Sequence, residues 1–309
     1  MIKYILNRVL QTVFVLFGVA TATFVLTYVV PGDPATLIFD EKVDSTTISN
    51  IRHEMAIDEN IFTQYFSFLK KMLRLDFGKS YFSNKIVLKT VLSSFYITCK
   101  ISLVSILIST IFGILFGVFS AINRGDFIDL FLMSGATSFI AMPTFWIAMV
   151  LQIIFAFKLN WFPIIGTSNI FLPCIALSLK PASSMSRFTR TTMIGILNQE
   201  YIKTARAKGL SNFRIIFVHA LKNALISIIT LIGMQVGNLL AGSMLVETIF
   251  SIPGIGKLVV NSVLKRDLPM IEGCVIYIAF IFVIVNLIVD LLYHIVNPKI
   301  RVNSNNNEN

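Results

Sequence analysis

The chain has 309 residues, of which 55% are hydrophobic and only 14% charged, with a mean hydropathy of +0.79 and a formal net charge of +10 at pH 7. A soluble domain carries roughly 25% charged residues, so this composition excludes an ordinary water-soluble fold and points to a lipid bilayer. The cysteines Cys99, Cys174 and Cys274 lie far apart, each inside an apolar run, a pattern that is neither a disulfide framework nor a metal-ligand spacing.

A spanning helix needs about 20 mostly apolar residues. Six segments meet or approach that length: Val9–Val30, Phe95–Ile122, Leu130–Phe157, Phe171–Leu197, Ala224–Val246 and Glu272–Val296. The expected fold is therefore an all-α, polytopic membrane protein with six transmembrane helices. The first segment imitates a signal peptide, with Lys3 and Arg8, an apolar stretch and Ala20-Thr21-Ala22, yet its apolar run continues to Val30, too far for an ordinary signal core. It is read as a retained helix. The fourth segment is the most polar, with Lys180, Arg187, Arg190 and several serines; a helix rich in small polar residues can face its neighbours rather than lipid.

Four regions follow. Residues 1–30 hold the N-terminal end and first helix, and 31–94 form an extracytoplasmic segment. Residues 95–297 form a five-helix core with an inner loop at 198–223, and 298–309 form a polar tail. In the segment 31–94, helical spacing covers Ser45–Met55 and Ile61–Leu75, with Thr46 or Thr47 and Asn60 as caps. Cytoplasmic loops collect Lys and Arg. With the N-terminus inside, the cytoplasmic pieces carry ten basic residues against four in the two short outer loops, while 31–94 is balanced at eight basic and eight acidic. Both termini are thus expected inside, and topology accounts for part of the positive charge without a nucleic-acid partner.

The inner loop, Gln199–Asn223, reads as two helical halves separated by Gly209. Glycine can take the positive φ that a helix end often needs, and Ser211 can cap the second half. Small Ala205 and Ala207 allow close approach, and Arg206 and Lys208 offer cations to acids on a partner. The loop suits a knob gripped by a partner or, equally, a basic helix resting on anionic lipid. The third outer loop, Ser251–Lys257, is rich in turn residues. Lys180 lies about nine residues into its segment, roughly 13 Å along a helix. A lysine at that depth faces the bundle interior or a watery path, snorkels toward an interface, or pairs with an acid on a partner.

Enzyme signatures are missing. No G-x-x-x-x-G-K-[ST] phosphate cradle occurs, since Gly254-Ile-Gly-Lys257 lacks the first glycine and is followed by Leu258. His53, His219 and His294 fall on separate segments and form no metal set. Glu247 and Glu272 stand at outer helix ends, with only Asp290 inside a segment. No cofactor is expected on this chain, and its energy must come from an external motor.

The ordered motifs resemble one family. Thr204-Ala-Arg-Ala-Lys-Gly-Leu210 is similar to the EAA-type coupling loop of binding-protein-dependent ABC importers, in the form found in dipeptide, oligopeptide and nickel permeases. Pro31-Gly-Asp-Pro34, Asp76-Phe-Gly-Lys-Ser-Tyr81, Met142-Pro-Thr-Phe-Trp146, Arg187-Phe-Thr-Arg190, the stretch from Glu247 to Gly256, Arg266-Asp-Leu-Pro269, Asp290-Leu-Leu-Tyr293 and Asn297-Pro298 agree. The resemblance implies a permease of the first structural type of ABC importer, in a prokaryotic cell membrane. It also implies a second permease (a heterodimer), two ATPase subunits that hydrolyse ATP and an extracytoplasmic solute-binding protein. It implies a peptide cargo, with nickel or a metal chelate as the alternative and a stand-alone carrier or channel as a remote one. The coupling residues would be Lys203, Thr204, Ala205, Arg206, Ala207, Lys208, Gly209 and Leu210. Glu247, Pro253, Gly254 and Gly256 would form an outer gate or binding-protein contact, and Lys180 is a pathway candidate. Three departures stand out: Lys203-Thr204-Ala205 occupy the Glu-Ala-Ala positions, Ser227 stands where a proline often follows, and Lys180 stands where a small or apolar residue is usual.

Overall fold

The computed structural model describes residues 2–26, 60–164, 166 and 170–296. These residues are helical apart from turns and a single bridge between Lys79 and Ile86. In chain order the helices are α1 (Ile2–Phe24), α2 (Ile61–Leu73), α3 (Val87–Ile122), α4 (Phe127–Ala141), α5 (Thr144–Leu151), α6 (Phe171–Leu197), α7 (Glu200–Ala207), α8 (Leu221–Ile249), α9 (Ile255–Leu264) and α10 (Leu268–Val296). A π-helical stretch, Gln152–Lys158, continues α5, and another, Arg214–Ala220, leads into α8. The Pro31–Pro34 stretch, the expected helix over Ser45–Met55, the end of the first span beyond Leu26 and the residues from Asn297 onward lie outside the described residues.

Three described stretches are long and apolar enough to cross a membrane unaided: Val87–Ile122, Arg214–Gly237 and Leu268–Asp290. The expected third span, Leu130–Phe157, is not one rod. It breaks between Ala141 and Thr144, where α4 and α5 meet at a bend of 106°. Proline has no N–H to donate and pushes the residue before it out of the helical region. Met142 is accordingly extended (φ −75°, ψ 135°), and Pro143 caps α5, its carbonyl accepting from Trp146 and Ile147. Helix α6 has the length, 27 residues, but is too polar to stand alone in lipid.

The chain divides into two compact units. The first holds residues 1–97 and 253–287. In it, Asn60 caps α2 by accepting the Phe62 N–H at 3.3 Å, and the Tyr65 hydroxyl meets Thr21 of α1 at 2.7 Å. Phe24 packs edge-on against Tyr65 at 5.1 Å and beside Phe68. Two motifs that are far apart in sequence meet here. Ser80 donates to the buried Asp267 carboxylate at 2.5 Å and the Tyr81 N–H reaches it at 3.3 Å, joining the Asp76–Tyr81 stretch to the Arg266–Pro269 turn. Gly273 of α10 leaves room for Val87, whose Cγ1 a Cβ there would strike.

The second unit holds residues 98–252 and 288–309. Its centre is α6, which packs against α4, α5 and α8. On α3, Gly113 and Gly117 are four residues apart and share a face. A Cβ at Gly113 would lie 2.5 Å from the Met185 Cβ, and one at Gly117 would lie 2.5 Å from the Thr189 Cβ and 2.6 Å from the Ser186 carbonyl. Small residues at such spacing let helix backbones approach in a membrane, where lipid gives no hydrophobic drive to association. One of the three cations of α6 is met in the same unit. Arg190 grips the buried Asp129 of α4 with two parallel bonds, Nε to Oδ1 at 2.7 Å and Nη2 to Oδ2 at 2.6 Å. Ser120 of α3 donates to the same carboxylate, and the Gly125 N–H caps it at 2.9 Å.

Two outcomes follow from this packing. Gly117→Ala should destabilise the chain by about 1–3 kcal/mol through overpacking, read as a lower melting temperature in detergent. Asp129→Asn or Arg190→Met alone should cost about 3 kcal/mol, the first stranding a half-buried guanidinium and the second a buried carboxylate, whereas an apolar pair at both positions should cost less than the sum. A double-mutant cycle on thermal unfolding measures this.

Candidate functional site

The inner loop forms a rigid knob. Helix α7 ends in a Schellman arrangement: the Leu210 N–H bonds the Ala205 carbonyl at 3.3 Å and the Gly209 N–H bonds that of Arg206 at 2.9 Å, with Gly209 at φ +77°. This satisfies the carbonyls that a helix end leaves free. Ser211 then receives the Arg214 N–H at 3.4 Å on its hydroxyl and the Ile215 N–H at 3.0 Å on its carbonyl. From Asn212 the chain is helical without interruption into α8, so the second half of the loop is the root of a membrane helix rather than a separate element. Asn223 of α8 donates to the Tyr201 hydroxyl at 2.8 Å.

The knob's two faces are divided differently from the sequence expectation. Ala205, expected to be presented to a partner, is buried in this chain's own core with Ile202, packed among Met193, Ile215 and Ala220, and Leu210 seals the edge. The period of the α7 helix explains it: residues 202 and 205 lie one turn apart on the face that α7 turns to its own bundle. The outward face comprises Tyr201, Lys203, Thr204, Arg206, Ala207, Lys208 and Gly209. Lys203 reaches only Glu200 at 2.7 Å, both side chains exposed, a contact worth little in water. Beside the knob, Arg124 and Arg206 line one cleft of about 350 Å³ together with Asn198 and Asn212. Phe213 and Phe217, which the sequence reading passed over, pack at 4.7 Å with their rings tilted by 36° and remain exposed.

The outer-loop residues are mostly buried. Glu247 is completely buried and accepts the Thr98 hydroxyl at 2.6 Å. It is therefore not available on the surface of this chain as a binding-protein contact. Its carbonyl accepts the Ile252 N–H at 2.8 Å where α8 closes, with Ser251 at φ +55°, so it serves helix termination and interior bonding. Gly254 and Gly256 are also buried and start α9, Gly254 as its cap; only Pro253 is exposed. Between the π-helical stretch and α6, the Gln152 amide donates to the carbonyls of Ile164 at 2.9 Å and Ile249 at 3.3 Å.

Lys180 lies at a cleft of about 360 Å³ lined by Thr144, Leu177, Pro181, Ser184, Gln235 and Leu239. Gln235 of α8 donates to the Pro181 carbonyl at 3.2 Å. The Lys180 ammonium is exposed and makes no ion pair among the described residues. No group of three or more His, Cys, Asp or Glu residues among the described ones could hold a metal ion.

Comparison with known proteins agrees with this architecture. The family described as "Binding-protein-dependent transport system inner membrane component" matches residues 113–302, and "Binding-prot-dependent transport system membrane comp, N-term" matches residues 1–104. The glutathione transport system permease protein GsiC of Salmonella typhimurium is 36% identical over 304 residues, covering 97% of this chain and 99% of that one. The Escherichia coli K12 protein of the same name is 35% identical over the same lengths. Among solved structures, two of the MetNI methionine ABC transporter in inward-facing conformations share the fold, with TM-scores of 0.56 and 0.53 at 14% and 15% identity, each over 67% of this chain and 96% of the other. The polar α6 at the centre of its helical unit, the knob on α7 and the two family matches along the chain agree: this protein belongs to the inner-membrane permease components of binding-protein-dependent ABC importers.

Proposed function

We propose that this chain forms half of the translocation path of an ATP-driven importer for peptide-type solutes, and that its knob transmits the closure of an ATPase subunit to the helices. The observation that carries the proposal is the division of α7 into two faces. One face is welded to the core through Ile202, Ala205 and Leu210, and the other offers cations and small residues to a partner. A lipid-resting helix would turn its apolar face to the bilayer; here that face is spent on the chain's own interior. Arg124 and Arg206 in their shared cleft suit an acidic side chain of the partner. A second permease would complete the path, and a solute-binding protein would deliver cargo on the side opposite the knob, with both termini on the knob's side. The peptide reading rests on relatives that carry glutathione, itself a small peptide, in their description.

Three substitutions test the knob. Ala207→Glu, on the outward face, should abolish ATPase association in membrane pull-downs while leaving the chain inserted and folded. Ala205→Glu should instead unfold the knob and lower the melting temperature, since its carboxylate would enter an apolar core. Gly209→Pro should abolish association as well, because proline cannot adopt φ +77°. Full ATPase association and uptake in Ala207→Glu and Gly209→Pro would remove the coupling role. The cargo is decided by the ligand that copurifies with the cognate binding protein: a peptide supports the reading, and a metal chelate replaces it.

A further inference from the structure

Helix α4 exposes Ser134, Thr137 and Ser138 beside its apolar residues, but the exposed side chains along the apolar spans of α3 and α8 are largely apolar. On α3 they include Leu107, Ile111, Phe112, Leu115, Phe116 and Phe119, and on α8 Ile226, Ile229, Met234 and Leu245. Helix α6 is different. Its outward strip runs Lys180, Ser184, Arg187 and Thr191, at steps of four, three and four residues that keep one face. Its opposite face is taken: Cys174, Leu177, Met185, Ser186, Thr189 and Met193 are buried, while Phe171 and Phe188 are exposed to the side. The third cation of α6, Arg190, is neutralised by Asp129. Lys180 and Arg187 are not. Neither forms an ion pair in the described residues, although Asp126 lines the same cleft as Arg187. The two lie about 10 Å apart along the axis, each opening on its own cleft of about 360 and 410 Å³.

Two unpaired cations within a spanning helix cannot face hydrocarbon; such residues face a watery cavity or another protein. We propose that the strip from Lys180 to Arg187 lines the translocation path and reads anions, so that a solute with a free carboxylate is passed from one cation to the other. The import reading above supplies the path, and the strip adds selectivity at the permease itself, against cationic solutes and in favour of acidic or zwitterionic ones. Thr144, Gln235 and Thr137, which border the two clefts, offer neutral hydrogen bonds beside the charges.

The test needs no knowledge of the cargo. Lys180→Cys and Arg187→Cys are made in the full complex in membrane vesicles, and the wild-type chain serves as blank for Cys99, Cys174 and Cys274. Each is treated with anionic sulfonatoethyl methanethiosulfonate or cationic trimethylammonioethyl methanethiosulfonate, with and without ATP and vanadate, and modification of this chain is read by mass. In at least one state each cysteine should react about tenfold faster with the anionic reagent, relative to a free thiol, as focused fields allow. The preference should vanish when the remaining cation is replaced by methionine and persist in Lys180→Cys/Arg187→Lys. Failure to react in either state means that an acid or helix of the second permease seals the strip, and equal rates mean that it does not select anions; both overturn the proposal. Absence of peptide uptake by the same complex would count against the peptide reading alone.

Discussion

The fold of the second unit depends on one constraint: a helix with three cations has to lie in a membrane without showing them to lipid. The Asp129–Arg190 pair removes one charge, with its remaining lone pairs met by Ser120 and Gly125. Breaking such a pair exposes a buried ion, which is why so many donors converge on a single carboxylate. Gly113 and Gly117 then bring α3 close enough for Ser120 to reach that carboxylate, so the small-residue face and the ion pair depend on each other. Every other feature of the unit, including the seat of the knob near Met193 and Ile215, is built on α6 being held this tightly.

The first unit solves a simpler problem by related means. Asp267 is a buried acid whose partners are a hydroxyl and a backbone N–H rather than a cation. Hydrogen bonds to a carboxylate are strong enough to fix a loop when water is excluded. The two stretches it joins are distant in sequence, so its role is a long-range staple rather than a turn.

Much of this was legible in the residues. Apolar length located the helices, Asn60 announced the start of α2, and Gly209 announced the end of α7. The break inside Leu130–Phe157 was also written there, in Met142-Pro143, but apolar length outweighed the proline because a spanning segment was expected to be continuous. Ala205 was assigned to the wrong face for a different reason. The size of alanine is compatible with a partner or with a core, and only the position of Ile202 and the residues around it decides between them. The burial of Glu247 was not legible, because a residue near the end of a helix is usually wet; here Thr98, from a helix far away in sequence, keeps it dry. The Arg187–Arg190 motif gave no sign of which arginine would be paired, since the partner, Asp129, lies on another helix.

One detail of helix endings bears on how the knob can be touched. The same pair of backbone bonds seen after α7 also closes α2, α8 and α9, with Leu75, Ser251 and Arg266 in the left-handed position at φ +54°, +55° and +55°. Those residues accept roughly 1–2 kcal/mol of strain to stand there. The backbone angle alone therefore does not dictate glycine in this chain, and at residue 209 a Cβ would meet nothing within 4 Å. What glycine uniquely supplies at that point is clearance. The tip of the knob is bare peptide, a stretch of main chain open to van der Waals approach beside the charged side chains of the outward face.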